Sequence, residues 1–93
     1  MNCYSLKDTT PYKKLKEKFL VFELSSLQEF EQAFYDNIDK GELFIEDTKA
    51  YILTPNKKCF VVFYTDKSKI TYLLKECQNG GVIDDNNRRN IKE

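Results

Sequence analysis

Apolar residues recur at helical spacing in two stretches of the chain. Ser26-Leu27-Gln28-Glu29 is an S-x-x-E capping box, in which two side chains satisfy backbone N–H groups at a helix start. The stripe that follows consists of Leu27, Phe30, Ala33, Phe34 and Ile38. Gly41 stands where a left-handed residue commonly ends a helix. This pattern predicts a helix over residues 26–40.

Two further helices are predicted, one at each end of the chain. Asp66 or Ser68 caps a helix over residues 67–78, whose apolar positions are Ile70, Leu73, Leu74 and Cys77. Near the start, Thr10-Pro11 is a helix-start signal, because proline is favoured at the first helical position. The segment behind it carries Tyr12, Leu15 and Phe19 on one side, and this predicts a short amphipathic helix.

Short apolar runs predict the strands. Residues 19–24 and 58–64 are the most apolar, and residues 42–46 and 49–54 flank Asp47-Thr48 as a tight hairpin or as one bent strand. Val82-Ile83 is a candidate for a short edge strand. The polar residues 84–93 have too little apolar surface to offset the cost of ordering, so we expect a C-terminal tail.

This order of elements predicts one small α+β domain over residues 1–83, with residues 1–9 as a flexible start. We expect a two-layer sandwich, an antiparallel sheet with two helices on one face, preceded by the short N-terminal helix. The βαββαβ part of the string resembles the ferredoxin-like fold, and this resemblance implies the same sheet order or a close variant of it.

The two strongest strands are apolar on both faces, which is typical of strands that are buried on both sides. The two long helices cover one face, so the N-terminal helix, a second copy of the chain or a partner must cover the other. We predict a partner-binding surface with an apolar centre and a lysine rim. Its centre is Leu20, Phe22, Phe60, Val62 and Tyr64, and its rim is Lys57 and Lys58.

Composition argues against an enzyme. The chain has no histidine and only three glycines, so it lacks the commonest general base and any glycine-rich phosphate loop. Cys3, Cys59 and Cys77 show neither a disulfide framework nor a zinc-site spacing, and a reducing cytoplasmic location is expected. No apolar run is long enough to cross a membrane. We therefore predict no catalytic residue, no metal and no cofactor.

Charge is segregated along the chain although the net charge is zero. Residues 25–48 hold seven acidic residues and one lysine, whereas residues 49–75 hold six lysines and one aspartate. Most runs of this kind are solvated faces, but a charge dipole also steers association with a partner.

Two segments resemble known domains. FLVFEL and KKCFVVFY stand where an RNA-recognition motif has its two sheet motifs, which bind RNA by stacking bases on aromatic side chains. Of the three stacking positions that this resemblance implies, Leu20, Lys58 and Phe60, only Phe60 is aromatic. Residues 27–77, with the Phe63-Tyr64-Thr65-Asp66 step, are similar in pattern to SseB-like domains. That resemblance implies a non-catalytic interaction or immunity-type module.

Asp47-Thr48-Lys49 matches the D-x-K end of a metal-dependent nuclease site, but so do many ordinary turns. Our interpretation is a cytoplasmic protein-interaction module, such as an inhibitor or immunity-type protein of a phage, plasmid or bacterium. The alternative is RNA or single-strand binding through the sheet face around Phe60. A protein partner is expected first, with a homodimer and nucleic acid as the other outcomes.

Overall fold

In the computed structural model, residues 1–78 are described. They form five strands, three α-helices and one 3-10 turn. The strands are β1 (Asn2–Ser5), β2 (Leu20–Glu23), β3 (Glu42–Ile45), β4 (Lys49–Leu53) and β5 (Lys58–Phe63). The helices are α1 (Tyr12–Lys18), α2 (Leu27–Asp36) and α3 (Thr71–Gln78), and the 3-10 turn Lys67–Lys69 leads into α3. The predicted Val82-Ile83 strand and the tail lie outside the described residues.

All five strands belong to one mixed sheet in the order β1-β3-β4-β5-β2. Strands β3, β4 and β5 form an antiparallel meander, and Asp47-Thr48 joins the first two as a hairpin. The two outer strands run parallel to their neighbours: β1 pairs with β3, and β2 pairs with β5. The early strands of the chain therefore lie at the two edges of the sheet, and the later strands fill its centre.

The predicted antiparallel sandwich of ferredoxin-like order is wrong, although the α+β class is correct. Residues 1–9, predicted as a flexible start, contain β1, whose four residues carry too few apolar side chains to signal a strand. Strand β2 is apolar at three of its four positions, but as an edge strand it is mostly exposed, so its apolar run does not indicate its parallel pairing. The hydrophobic pattern predicts which residues form strands, but it does not indicate whether neighbouring strands run parallel or antiparallel.

The sheet has a hydrophobic core on each face. On one face α2 and α3 pack through Phe30, Phe34, Leu73 and neighbouring residues against the inward positions of β3, β4 and β5. On the other face α1 inserts Leu15, which is 4% exposed, against Tyr51, Cys59 and Val61. Of the three alternatives for covering the second face, the structure has the N-terminal helix.

The start of α2 confirms half of the predicted capping box. The Ser26 hydroxyl accepts a hydrogen bond from the backbone N–H of Glu29 at 3.1 Å. The Glu29 carboxylate accepts from the N–H of Ser25 at 2.9 Å, one residue before the cap. These contacts hold the pKa of Glu29 below its ordinary value, chiefly through the Ser25 N–H.

Gly41 is required because the site has no room for a side chain, and not because its backbone is left-handed. Helix α2 ends at Asp36, and a turn over residues 37–40 leads to β3. A Cβ atom on Gly41 would lie 3.1 Å from the Ile52 side chain and 3.2 Å from the Asn37 carbonyl oxygen. The glycine therefore permits the close approach of this turn to β4.

Cys3 in β1 and Cys77 in α3 form a disulfide that the sequence analysis did not predict. Their Cα atoms are 6.2 Å apart, within the usual span for a bridge. The bond ties the first strand to the last described helix, and it explains how so short a strand is held at the sheet edge.

Candidate functional site

The sheet face beneath α2 and α3 is not fully covered. Its outer strand, β2, lies at the edge next to β5, and its side chains on this face remain open. Leu20 is 61% exposed and Phe22 is 38% exposed, which places both among the most exposed large apolar residues of the described chain. Large apolar side chains grouped at one place on a surface are typical of an interaction site.

Phe60 on β5 joins these two residues into one surface. The parallel register places Leu20 beside Lys58 and Phe22 beside Phe60. The two phenylalanine rings stack with their centroids 5.2 Å apart and their planes 18° from parallel. We call Leu20, Phe22 and Phe60 the β2 strip.

A groove of about 310 Å³ begins at Phe60 and runs to the end of α2. Its lining contains two lysines and no acidic residue: Asn37, Lys40, Thr54, Pro55, Asn56, Lys58 and Phe60. Lys40 and Lys58 form no salt bridge with any residue in the described part of the chain. We call this the lysine groove, and its ammonium groups give it a positive charge.

The hairpin between β4 and β5 forms one wall of the groove. Pro55 and Asn56 occupy a tight turn, closed by a hydrogen bond from the Lys57 N–H to the Thr54 carbonyl oxygen at 3.1 Å. Lys57 then has φ = 67°, in the left-handed region that favours glycine. A lysine at such a position costs on the order of 1 kcal/mol, and strained positions of this kind often occur at functional sites.

The Lys57 backbone also connects the hairpin to β2, since its carbonyl oxygen accepts a hydrogen bond from the Leu20 N–H at 2.8 Å. The hairpin, the lysines and the start of the β2 strip are thus one assembly. A neighbouring larger cavity of about 510 Å³ shares Lys40 with the groove and is also lined by Lys57, but Asp39 and Glu42 line it too, so its charge is mixed.

The predicted partner-binding residues are only partly brought together. Leu20, Phe22 and Phe60 form the β2 strip, with Lys57 and Lys58 beside it. Val62 is 2% exposed and belongs to the core beneath the helices. Tyr64 is turned toward the β3–β4 hairpin, where its hydroxyl donates to the Lys49 carbonyl oxygen at 2.8 Å. Burial raises the pKa of that hydroxyl above its ordinary value, and nearby carboxylates add to the effect.

A buried polar network on the opposite face was not predicted. Glu46 and Lys49 are 1% and 2% exposed, and their charged groups meet at 2.5 Å. Thr10 closes the network: its N–H donates to Glu46 Oε2 at 2.9 Å, and its carbonyl oxygen accepts from Lys49 Nζ at 2.6 Å. The Tyr51 hydroxyl donates to Thr10 Oγ1 at 3.0 Å. Each charge therefore has partners, and the network pins the segment before α1 to the sheet.

The network also separates the residues of the D-x-K pattern. Lys49 points into the buried network, whereas the Asp47 side chain is 75% exposed and lies 3.7 Å from Lys67. The predicted Thr10-Pro11 helix start is displaced by one residue: Pro11 occupies the cap position and not the first helical position, and Thr10 supports this network instead. A buried lysine beside a buried glutamate has no separate sequence signal, because both residue types are ordinarily exposed.

Cys59 is the free cysteine of the described residues and is fully buried. Burial raises the pKa of its thiol to about 12, only partly offset by Lys49. The thiol therefore stays protonated near neutral pH and is a poor nucleophile. Within residues 1–78, no group of three or more histidine, cysteine or acidic side chains is arranged to hold a metal ion.

Within the same residues, none of the helices has the length and apolar character needed to cross a membrane. Comparison with protein-family models, with curated proteins and with solved structures finds no match to this chain.

Proposed function

We propose that this chain is a small protein-interaction module that acts by binding, and so occupying, a protein partner. The observation that carries the proposal is the β2 strip, an exposed apolar surface that continues into the lysine groove. Interfaces commonly combine an aromatic centre with a charged rim in this way. An inhibitor or immunity-type role in a phage, plasmid or bacterium fits a module that works by occupancy.

Co-purification from the native host tests this proposal, with matched variants. Phe22→Ala removes a ring at the centre of the strip, and a hot-spot aromatic is worth about 2 kcal/mol or more of binding free energy. Tyr4→Ala is the control, because Tyr4 is 39% exposed and also stacks on a neighbouring ring, but at the opposite sheet edge. A stoichiometric protein lost with Phe22→Ala and kept with Tyr4→Ala supports the proposal. Equal recovery with both variants contradicts it.

RNA binding is the second candidate, favoured by the lysines that border Phe60. Bases stack on exposed aromatic faces while lysines bind phosphate. Here, however, Phe22 stacks on the Phe60 ring, which reduces the free aromatic surface. A nuclease-sensitive complex in the same co-purification would favour RNA over a protein partner.

We also propose a cytoplasmic location, on the basis of the odd cysteine count of the sequence, and the Cys3–Cys77 bond is the observation that opposes it. In that compartment Cys3 and Cys77 would be held mostly as thiols. Alkylation of intact cells, then denaturation and measurement of protein mass, tests this. Alkylation at both Cys3 and Cys77 supports a reducing location, and a chain that retains the Cys3–Cys77 bond in the cell contradicts it.

A further inference from the structure

The outer side of β2 offers unpaired backbone groups. In the parallel ladder with β5, the N–H groups of Leu20 and Leu24 donate inward, to Lys57 and Val61, at 2.8 and 2.7 Å. Alternation along a strand then turns the N–H and C=O groups of Val21 and Glu23 outward. Strand β2 is the last strand of the sheet on this side, so within the described residues nothing pairs with that edge.

We propose that β2 accepts an extended segment of the protein partner as an additional strand, and that this segment is apolar and acidic. This inference rests on the proposed function and names the chemistry of the partner. Main-chain hydrogen bonds would form with Val21 and Glu23, and alternate side chains of the segment would lie on the β2 strip. Such strand addition is a common mode of peptide recognition.

Charge complementarity identifies the acidic character of the segment. The start of β2 lies beside the lysine groove, because Leu20 is paired in register with Lys58 and is hydrogen-bonded to Lys57. Lys40 adds a third ammonium group from the turn that follows α2, and the groove lining holds no carboxylate. The acidic side chain of β2 itself, Glu23, alternates to the opposite face, toward Tyr12.

The same geometry assigns positions along the bound segment. Its side chain opposite Phe22 meets a stacked aromatic pair, so an apolar residue fits there. Its side chain near Leu20 lies within reach of the Lys58 ammonium, so aspartate or glutamate fits there. Cross-strand neighbours on one face approach to about 5 Å between Cβ atoms, which permits the contact with Phe22. The added strand lies about 10 Å from β5, a distance that a lysine and an acidic side chain together can span.

Three synthetic peptides of eight residues test the inference with the full chain labelled for NMR. The peptides are otherwise identical Val/Leu-rich sequences and differ at one position, two residues from the apolar residue meant for Phe22 and on the same face: Glu in the first, Ser in the second and Lys in the third. We expect the Glu peptide to shift the Val21 and Glu23 amide signals and to protect them from hydrogen exchange. We expect the Ser peptide to bind about tenfold more weakly, the loss of one charge-assisted contact, and the Lys peptide more weakly still.

Two variants separate the charge contribution from the strand edge. Lys58→Glu should weaken the Glu peptide by about tenfold or more, whereas Lys14→Glu, on the exposed side of α1, should not change its affinity. Val21→Pro removes an outward N–H and leaves the inward hydrogen bonds of β2 in place, so it should abolish binding of the Glu peptide. If Val21→Pro unfolds the chain, Lys58→Glu remains decisive.

The opposite results are equally clear. Three results would each overturn strand addition by an acidic segment. They are equal affinity for the three peptides, NMR signal shifts confined to another edge of the sheet, and a free protein that buries Leu20 and Phe22 in a homodimer. If these results occur while the native partner still depends on Phe22, the strip keeps its function and only the segment chemistry is wrong. If the native partner is indifferent to Phe22→Ala, the proposed function itself fails.

Discussion

Lys49 and Glu46 show at the residue scale how a buried charge is tolerated. Their ammonium and carboxylate groups meet at 2.5 Å, and Thr10 provides a further acceptor and donor. Replacing one partner leaves the other charge buried without compensation, which costs about 3–5 kcal/mol. We predict a loss of that size in the free energy of unfolding for Lys49→Met, measured by urea titration.

Lys67→Met is the matched control for this prediction. Lys67 pairs with Asp47 at 3.7 Å, where the aspartate side chain is 75% exposed. Exposed pairs are worth about 0–1 kcal/mol, so the control should stay within that range. Similar losses for both variants would show that the Glu46–Lys49 network does not stabilise the fold in the way described.

The tyrosines predict how stability changes at high pH. Burial raises the pKa of Tyr51 from its usual value of 10.0 to about 12, and the nearby Glu46 adds to the rise. The hydroxyl therefore stays protonated in the folded chain at a pH where the unfolded chain loses its proton. The free energy of unfolding should be highest below pH 10 and should fall between pH 10 and about 12.

Urea titrations across that pH window measure the decline. Tyr51→Phe removes one titrating hydroxyl and should make the decline shallower, although it also removes the hydrogen bond to Thr10. An equally steep decline in the variant would assign the effect to other groups.

At the scale of the elements, the Cys3–Cys77 disulfide fixes β1 to α3. The bond spans 74 residues, and closing a loop of that length stabilises the folded state by about 4 kcal/mol in the chain-entropy description. Cys77→Ser should therefore lower the free energy of unfolding by up to about 4 kcal/mol under oxidising conditions. Urea titration with and without reductant measures it.

Reduced wild-type protein is the control for this variant. Because its bridge is open, it should unfold at nearly the same urea concentration as Cys77→Ser. A wild-type chain whose stability is unchanged on verified reduction would contradict the prediction, and would mean that packing alone holds β1 in the sheet.

The elements differ in how well their sequences predict them. The capping box at Ser26 and the run of apolar residues at β5 predict α2 and β5 well, because each signal is local. Strand direction and sheet order depend on contacts between distant segments, which no local pattern contains. Strand β1 was missed because it depends on β3 and on a disulfide, and its own four residues are mostly polar.

The candidate site shows the same division. Alternation along β2 and β5 predicts that Leu20, Phe22 and Phe60 share a face, and their register confirms it. The burial of Val62 depends on where α2 lies across the sheet, and the presence of Lys40 in the groove depends on where α2 ends. Neither placement follows from spacing along the chain.

At the scale of the whole molecule, charge separates the two candidate functions. The lysine groove brings together Lys40 and Lys58, with Lys57 at the adjacent hairpin. If these three ammonium groups bind phosphates of single-stranded RNA, affinity should fall with salt at a logarithmic slope of about −0.7 for each phosphate. Three contacts then give a loss of about 18-fold between roughly 50 and 200 mM salt.

A protein partner on the β2 strip should respond much less to salt. Its affinity comes mainly from apolar contacts at Leu20 and Phe22, and salt only partly screens the smaller contribution of the rim, where the Lys58 contact is worth about tenfold in affinity. We therefore predict a loss of less than about fivefold over the same salt range, measured by isothermal titration of the purified complex components. Lys58→Glu is the internal check. If the lysines bind phosphates, this variant should reduce the slope of affinity against salt by the share of about one phosphate contact, and it should leave the apolar contribution to the binding free energy unchanged. A steep slope that flattens in this variant would assign the surface to RNA.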